Sequence, residues 1–163
     1  MFKRMLNTRG LCIGAVIAAL YVVLTIVANA LGLASGAIQV RLSEALTILP
    51  CFTPAAIPGL FIGCVLANVI TGCVALDVVF GSLATLLGAL GTYWLRKTPW
   101  LAWLPPVVSN AVIVPFVLQY AYGVPDAWWY LFLTVGAGEV LACGVLGMAL
   151  YYALKRIDFE RFA

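Results

Sequence analysis

The chain has 163 residues, 65% of them hydrophobic and 9% charged, with a net charge of +3 and no histidine. Soluble domains carry about 45–50% apolar and about 25% charged residues, so this charge content cannot cover a water-facing surface and the solvent must be lipid. The missing histidine excludes the usual His metal sites and Ser/His or Cys/His nucleophile pairs, and basic residues confined to the ends and one short loop make no nucleic-acid footprint.

A spanning helix needs about 20 apolar residues, which leaves room for five or six spans and no soluble domain. The first is read at 11–31. Lys3, Arg4 and Arg9 precede it, and Ala28-Asn29-Ala30 mimics a cleavage site. The apolar run from Leu11 to Ala28 is longer than the ~7–15-residue core of a signal peptide, so it reads as a retained span. Ala15 and Ala19 stand four apart, with Gly14 and Ala18 alongside. Small residues at that spacing let another helix backbone come close, or reflect an Ala-rich helix and nothing more.

The second segment, 37–50, is short and carries Gln39, Arg41, Ser43 and Glu44. As an α-helix it reaches about 20 Å. The third, 55–70, opens with Thr53-Pro54 as an N-cap and first-turn pair, with Pro58 otherwise the first helical residue or a kink at the start. The fourth, 75–95, starts beside Asp77 and ends at Arg96-Lys97. The fifth, 101–120, contains Asn110 and Pro115, and is expected to bend or open where Pro115 lacks its N–H. The sixth, 127–154, opens on Trp128-Trp129-Tyr130, has a weak point at Gly136 and Gly138, and buries Glu139.

Lys/Arg excess marks cytoplasmic loops. The N-terminal cluster, Arg96-Lys97 and the C-terminal Lys155, Arg156 and Arg161 all fall inside if the short second segment spans. With five spans the two ends fall on opposite sides. The expected fold is therefore an all-α integral membrane protein of six helices, one domain over 1–163, both termini cytoplasmic. The turn at Pro50–Pro54 then lies on the inner side.

Intramembrane ionisable groups cost about 2.5–3.5 kcal/mol each on insertion scales and usually mark function. Gln39, Arg41, Glu44, Asn68 and Asp77 fall near the outer side, together with Trp128. Asn110 and Glu139 fall near mid-membrane, Glu139 about 18 Å along its helix. The inner half is nearly devoid of polar side chains. A polar cup over an apolar floor suits a binding pocket, whereas an open channel needs polar lining throughout. Each residue has a structural alternative. Arg41 and Glu44, three apart, either neutralise each other or present Glu44 to the pocket. Asp77 is a ligand contact or a helix cap. Asn68 and Asn110 contact ligand or bond helix to helix. Trp128 stacks on a flat ligand or belongs to the interfacial belt. The five cysteines show no CxxC spacing and read as small hydrophobes. Carboxylates, amides and aromatics together suit a planar heterocycle rich in N–H donors, such as a guanine edge.

The run IQVRLSEALTILPCFTPAAIPGLFIGCVLAN, Ile38 to Asn68, resembles the QueT family. Its members are the substrate-binding (S) components of energy-coupling-factor transporters associated with queuosine precursors. That resemblance implies a bacterial cell-membrane protein that captures a vitamin-like solute from outside. It implies a 7-deazaguanine ligand: preQ0, preQ1 or queuine. It also implies docking through Ala15 and Ala19 onto an EcfT-type transmembrane coupling subunit. Two cytoplasmic ATPases would use the ATP, since this chain carries no Walker A motif and needs no cofactor of its own. A vitamin-like ligand of another kind is the alternative within this class, and a ligand-free membrane scaffold is the alternative outside it. An enzyme is not expected, because two carboxylates without histidine, metal cluster or nucleophile make no catalytic constellation.

Overall fold

The computed structural model describes residues 7–33 and 40–156. Within them the protein is all-helical, with six helices in chain order. Four are long and apolar enough to cross a membrane: α1 (Thr8–Ala30), α4 (Ala75–Lys97), α5 (Pro99–Tyr122) and α6 (Trp128–Arg156). Between α1 and α4 lie two shorter apolar helices, α2 (Leu42–Cys51) and α3 (Ala56–Ile70).

α2 is the centre of the arrangement, in contact with α1, α3, α4 and α6. It is a 3₁₀ helix through all ten residues, where runs beyond 3–4 residues are uncommon. With about 2.0 Å rise per residue, ten residues reach the ~20 Å that thirteen would need as α-helix. Side chains three apart eclipse in this geometry. Glu44, Thr47 and Pro50 form one buried ridge, and Ser43, Leu46 and Leu49 form another. Thr47 Oγ1 donates to the Glu44 carbonyl at 2.6 Å, reinforcing that three-residue repeat. Arg41 sits just before the helix with extended backbone, so the charged pair is not two members of one regular helical face. Gln39 lies outside the described residues.

The α1–α3 contact is set by glycine. A Cβ on Gly59 would meet the Gly14 carbonyl oxygen at 2.6 Å, and one on Gly63 would meet Tyr21 Cβ at 2.8 Å. Gly14 and Ala18 are the buried partners here, while Ala15 and Ala19 are exposed on the neighbouring face of α1. This approach, with α2 laid across it, forms an apolar core from Ile17, Tyr21, Leu46, Leu49, Ile57 and Leu60.

Local details depart from expectation in four places. The N-cap of α3 is Ala55, and Thr53 acts one turn earlier, its hydroxyl accepting from Ala55 N at 3.4 Å. Pro58 lies in the first turn of α3, where its missing N–H has no intrahelical partner to lose. Asp77 does not cap α4, whose N-cap is Val74. In α6 the irregularity falls beyond the glycines: the backbone is π-helical from Val140 to Gly147, directly after Glu139. The α5 helix runs on through Pro115 to a left-handed C-cap at Gly123 (φ 65°).

The two ends of the bundle differ. Phe52 stacks near Tyr151 of α6, with ring centroids 5.1 Å apart. Cys51 lies in the field of Arg96, and Cys12 of α1 lines one groove with Leu154 of α6. The described basic residues of α1, α4 and α6 are therefore gathered at one end. Asp77, Tyr122 and Asn29 meet at the other.

The glycine contact gives a direct test. Gly59→Ala should lower the thermal unfolding midpoint in detergent by the equivalent of about 1–3 kcal/mol, the usual cost of overpacking. Gly136→Ala, whose added Cβ would meet nothing nearer than Ala111 Cβ at 3.7 Å, should leave the midpoint close to wild type.

Candidate functional site

At the end opposite the basic residues, α1, α3, α4 and α5 enclose a cavity of about 320 Å³. Pockets for small molecules typically begin near about 300 Å³. Arg41 lines it beside Asn68, Asp77, Thr25, Asn29, Thr71 and Tyr122. Asp77 is buried in the first turn of α4. Its Oδ2 accepts from the Tyr122 hydroxyl at 2.9 Å, and its Oδ1 is buried without a hydrogen-bond partner. Asn68 Nδ2 donates to the Asp77 carbonyl at 3.4 Å. Gly81 keeps this corner open, because a Cβ there would come within 2.9 Å of Asp77 Oδ1 and 3.4 Å of Asn68 Nδ2.

A second cluster lies between α2 and α6. Oxygens of Glu44 and Glu139 and the sulfur of Cys143 are all within 4.8 Å of one another, a spacing able to hold one cation. Glu44 is 1% exposed and Glu139 4%. Tyr21 donates its hydroxyl to Glu44 Oε1, and Thr85 adds a longer bond of 3.4 Å to the same oxygen. Glu44 Oε2 is buried and unpartnered. Cys143 Sγ donates to Glu139 Oε2 at 3.4 Å and packs 3.5 Å from the Glu44 carbonyl oxygen. Asn110 of α5, 2% exposed, faces both carboxylates without closing a hydrogen bond from Nδ2 to either.

Arg41 joins the two clusters electrostatically. Its charge acts on Asp77 and Glu44 and reaches Glu139 as well. It makes no ion pair within 4.0 Å with a described carboxylate. Glu44 takes its hydrogen bonds from hydroxyls of α1 and α4, with Arg41 acting on it through charge alone, and it lies beside Glu139 instead of with the outer group. The sequence places these two carboxylates at different depths. The 3₁₀ geometry of α2, which begins only at Leu42, puts Glu44 beside Glu139.

Of the remaining sequence-derived candidates, Trp128 packs between Phe116 and Phe132, at 5.6 and 5.4 Å between centroids. It does not line the cavity, and its Nε1 is buried unpaired. Ala15 and Ala19 are exposed on α1, away from both clusters. Sequence reasoning passed over Tyr21, Thr85, Cys143 and Tyr122. Tyr21, Thr85 and Tyr122 are hydroxyls in apolar helices whose carboxylate partners come from other helices, so no local spacing announces them, while Cys143 follows its partner Glu139 by four residues within α6. The cysteines are not all inert filler, since Cys64 and Cys143 accept or donate hydrogen bonds within this polar interior.

A protein-family model described as "QueT transporter" matches residues 11–156. No curated protein and no solved structure matches the chain at a significant level.

The Tyr21–Glu44 bond should be energetically visible. A double-mutant cycle of Tyr21→Phe and Glu44→Gln, read by unfolding in detergent, should give a coupling of about 1.5–3 kcal/mol, as for hydrogen bonds to charged groups. Additive effects would mean that the carboxylate is held by other partners.

Proposed function

The chain belongs to the QueT transporter family, and from that premise we propose that it is the substrate-capture subunit of an energy-coupled importer for a 7-deazaguanine queuosine precursor. The observation that carries the reading is the set of buried, unpartnered polar atoms at the two clusters: Asp77 Oδ1 in the cavity lining, and Glu44 Oε2 and Asn110 Nδ2 at the carboxylate pair between α2 and α6. Buried polar groups are nearly always hydrogen-bonded. Two spare carboxylate oxygens and an amide N–H therefore call for a ligand that brings several N–H donors and an acceptor. A 7-deazaguanine offers adjacent ring N–H and amino donors to a carboxylate and a carbonyl to a guanidinium. Asp77 and Arg41, both in the cavity lining, suit that edge.

The capture face opens away from the cytoplasm in this reading. Arg9, Arg96, Lys97, Lys155 and Arg156 are exposed, and their gathering at the opposite end supports a cytoplasmic placement of that end under the positive-inside rule. The packed core of Ile17, Leu46, Leu49 and Leu60 forms a floor beneath the site, which supports binding over free conduction. Energy would come from partner subunits: a transmembrane coupling protein seated on the Ala15/Ala19 face and two cytoplasmic ATPases. Exposed small residues allow such close helix approach.

Calorimetric titration of the purified protein with preQ0, preQ1 and queuine tests the substrate. At least one should bind at micromolar strength or tighter, and Asp77→Asn should weaken it by about 10- to 100-fold, the worth of a charge-assisted hydrogen bond. If none binds, the substrate assignment is wrong. Partner docking separates from capture: Ala15→Leu with Ala19→Leu should abolish uptake by cells while leaving binding by the purified protein within about threefold, well under the ~1.4 kcal/mol of a tenfold change.

A further inference from the structure

We propose that the Tyr122 hydroxyl is a place-holder for the solute: in the empty protein it occupies an Asp77 oxygen that an N–H-bearing edge takes on binding, so that this tyrosine sets affinity by competing from within the molecule. The inference rests on the capture reading and adds a specificity-determining residue to it. The first observation is how the two carboxylate oxygens of Asp77 are used. Oδ2 accepts from the Tyr122 hydroxyl at 2.9 Å, and Oδ1 is buried without a partner. Asn68 bonds the Asp77 backbone carbonyl and not the carboxylate. A carboxylate receives two adjacent N–H donors through both oxygens, one donor to each. Here one oxygen is open, and the other is held by a side chain that lines the same cavity.

The second is the unequal burial of the two partners. Asp77 is 4% exposed, so without Tyr122 both of its oxygens would be buried and unpaired. Tyr122 is 43% exposed, so its hydroxyl, once released, finds water at little cost. The bond therefore serves the aspartate far more than the tyrosine. Position favours the exchange. Tyr122 is the last residue of α5, directly before the left-handed Gly123, and a Cβ on Gly123 would meet nothing within 4 Å. The other polar neighbour of the phenol is the Cys73 thiol, a weak donor and acceptor. An edge with two N–H donors then replaces one hydrogen bond to Asp77 by two, and the affinity of the wild type is lower by the bond given up. The same bond steadies the empty protein.

Calorimetric titration of the full-length protein in detergent with preQ0, preQ1 and queuine, repeated on Tyr122→Phe, tests the exchange. Each compound that binds the wild type should bind Tyr122→Phe about tenfold more tightly, the order of one hydrogen bond to a charged group. Tyr122→Leu should tighten binding in the same sense, and it decides the question should Tyr122→Phe fail to fold. Tyr120→Phe, at a tyrosine 80% exposed and outside the cavity lining, should leave affinity within about threefold. Melting curves give an independent reading. Tyr122→Phe should melt below the wild type when empty and together with it when saturated with solute. Unchanged affinity would make the hydroxyl a packing bond only, and weakened binding would make it a direct contact to the solute. Either result overturns the inference and leaves the capture reading standing. Failure of all three compounds to bind the wild type would overturn the capture reading, and this inference with it.

Discussion

The structure turns on one electrostatic constraint: Glu44 must be buried at the centre of a protein whose outside is lipid. A charged group at such depth is tolerated when its hydrogen bonds are supplied by the surrounding helices. Tyr21 from α1 and Thr85 from α4 supply them. Both depend on close helix approach. Tyr21 reaches α2 because Gly59 and Gly63 let α1 settle onto α3 almost backbone to backbone. Thr85 is further tied to the Gly81 carbonyl at 3.2 Å and to Cys64 at 3.5 Å. The small residues of α1 and α3 therefore act on the site as well as on the fold, since they set the distance across which the tyrosine hydroxyl must work.

Two departures from α-helical geometry meet at the same place. The 3₁₀ turn of α2 and the π-helical stretch of α6 pack directly on each other. Gly147 sits where a Cβ would come within 3.4 Å of the Ala45 carbonyl oxygen. Tightening one helix and widening the other changes the rise and rotation of each, which brings Glu44, Glu139 and Cys143 together across the contact. In a regular α-helix Arg41 and Glu44 would lie on one face. Here the helix starts after Arg41, and the two side chains serve different clusters. Non-α segments of this kind are frequent at functional sites, and in this chain both irregular stretches adjoin the buried carboxylates.

Much of this was legible in the sequence. Composition alone dictates a lipid-facing helical protein, and the run from Ile38 to Asn68 identifies the family. Arg41, Asn68 and Asp77 stand out as polar residues in apolar helices, and the structure brings them to one cavity. Depth along the membrane was not legible for Glu44, because counting at 1.5 Å per residue assumes an α-helix and α2 is not one. Nor could the partners of Glu44 be read. A tyrosine at position 21 and a threonine at position 85 are unremarked in their own helices, and they become ligands of the carboxylate only through tertiary contact. Trp128 stands out equally in sequence, yet it packs against Phe116 and Phe132, because an aromatic at a helix start finds apolar neighbours as readily as a cavity.

The division between a polar upper half and an apolar floor constrains how a solute could pass. Below the carboxylate pair, Leu46, Leu49, Ile57 and Leu60 are packed against Ile17 with little or no exposure, and a planar polar molecule has no hydrogen-bonding route through them. Opening such a route would separate α2 from α1 and α3. That would also pull Tyr21 from Glu44 and leave a carboxylate unpaired in a low dielectric, a cost of several kcal/mol per ion. Release by an internal path is therefore opposed by the same contacts that make the site. The small-residue face of α1, with Ala15 and Ala19 exposed, lies around the helix from these residues and takes no part in the packing that opposes such a path.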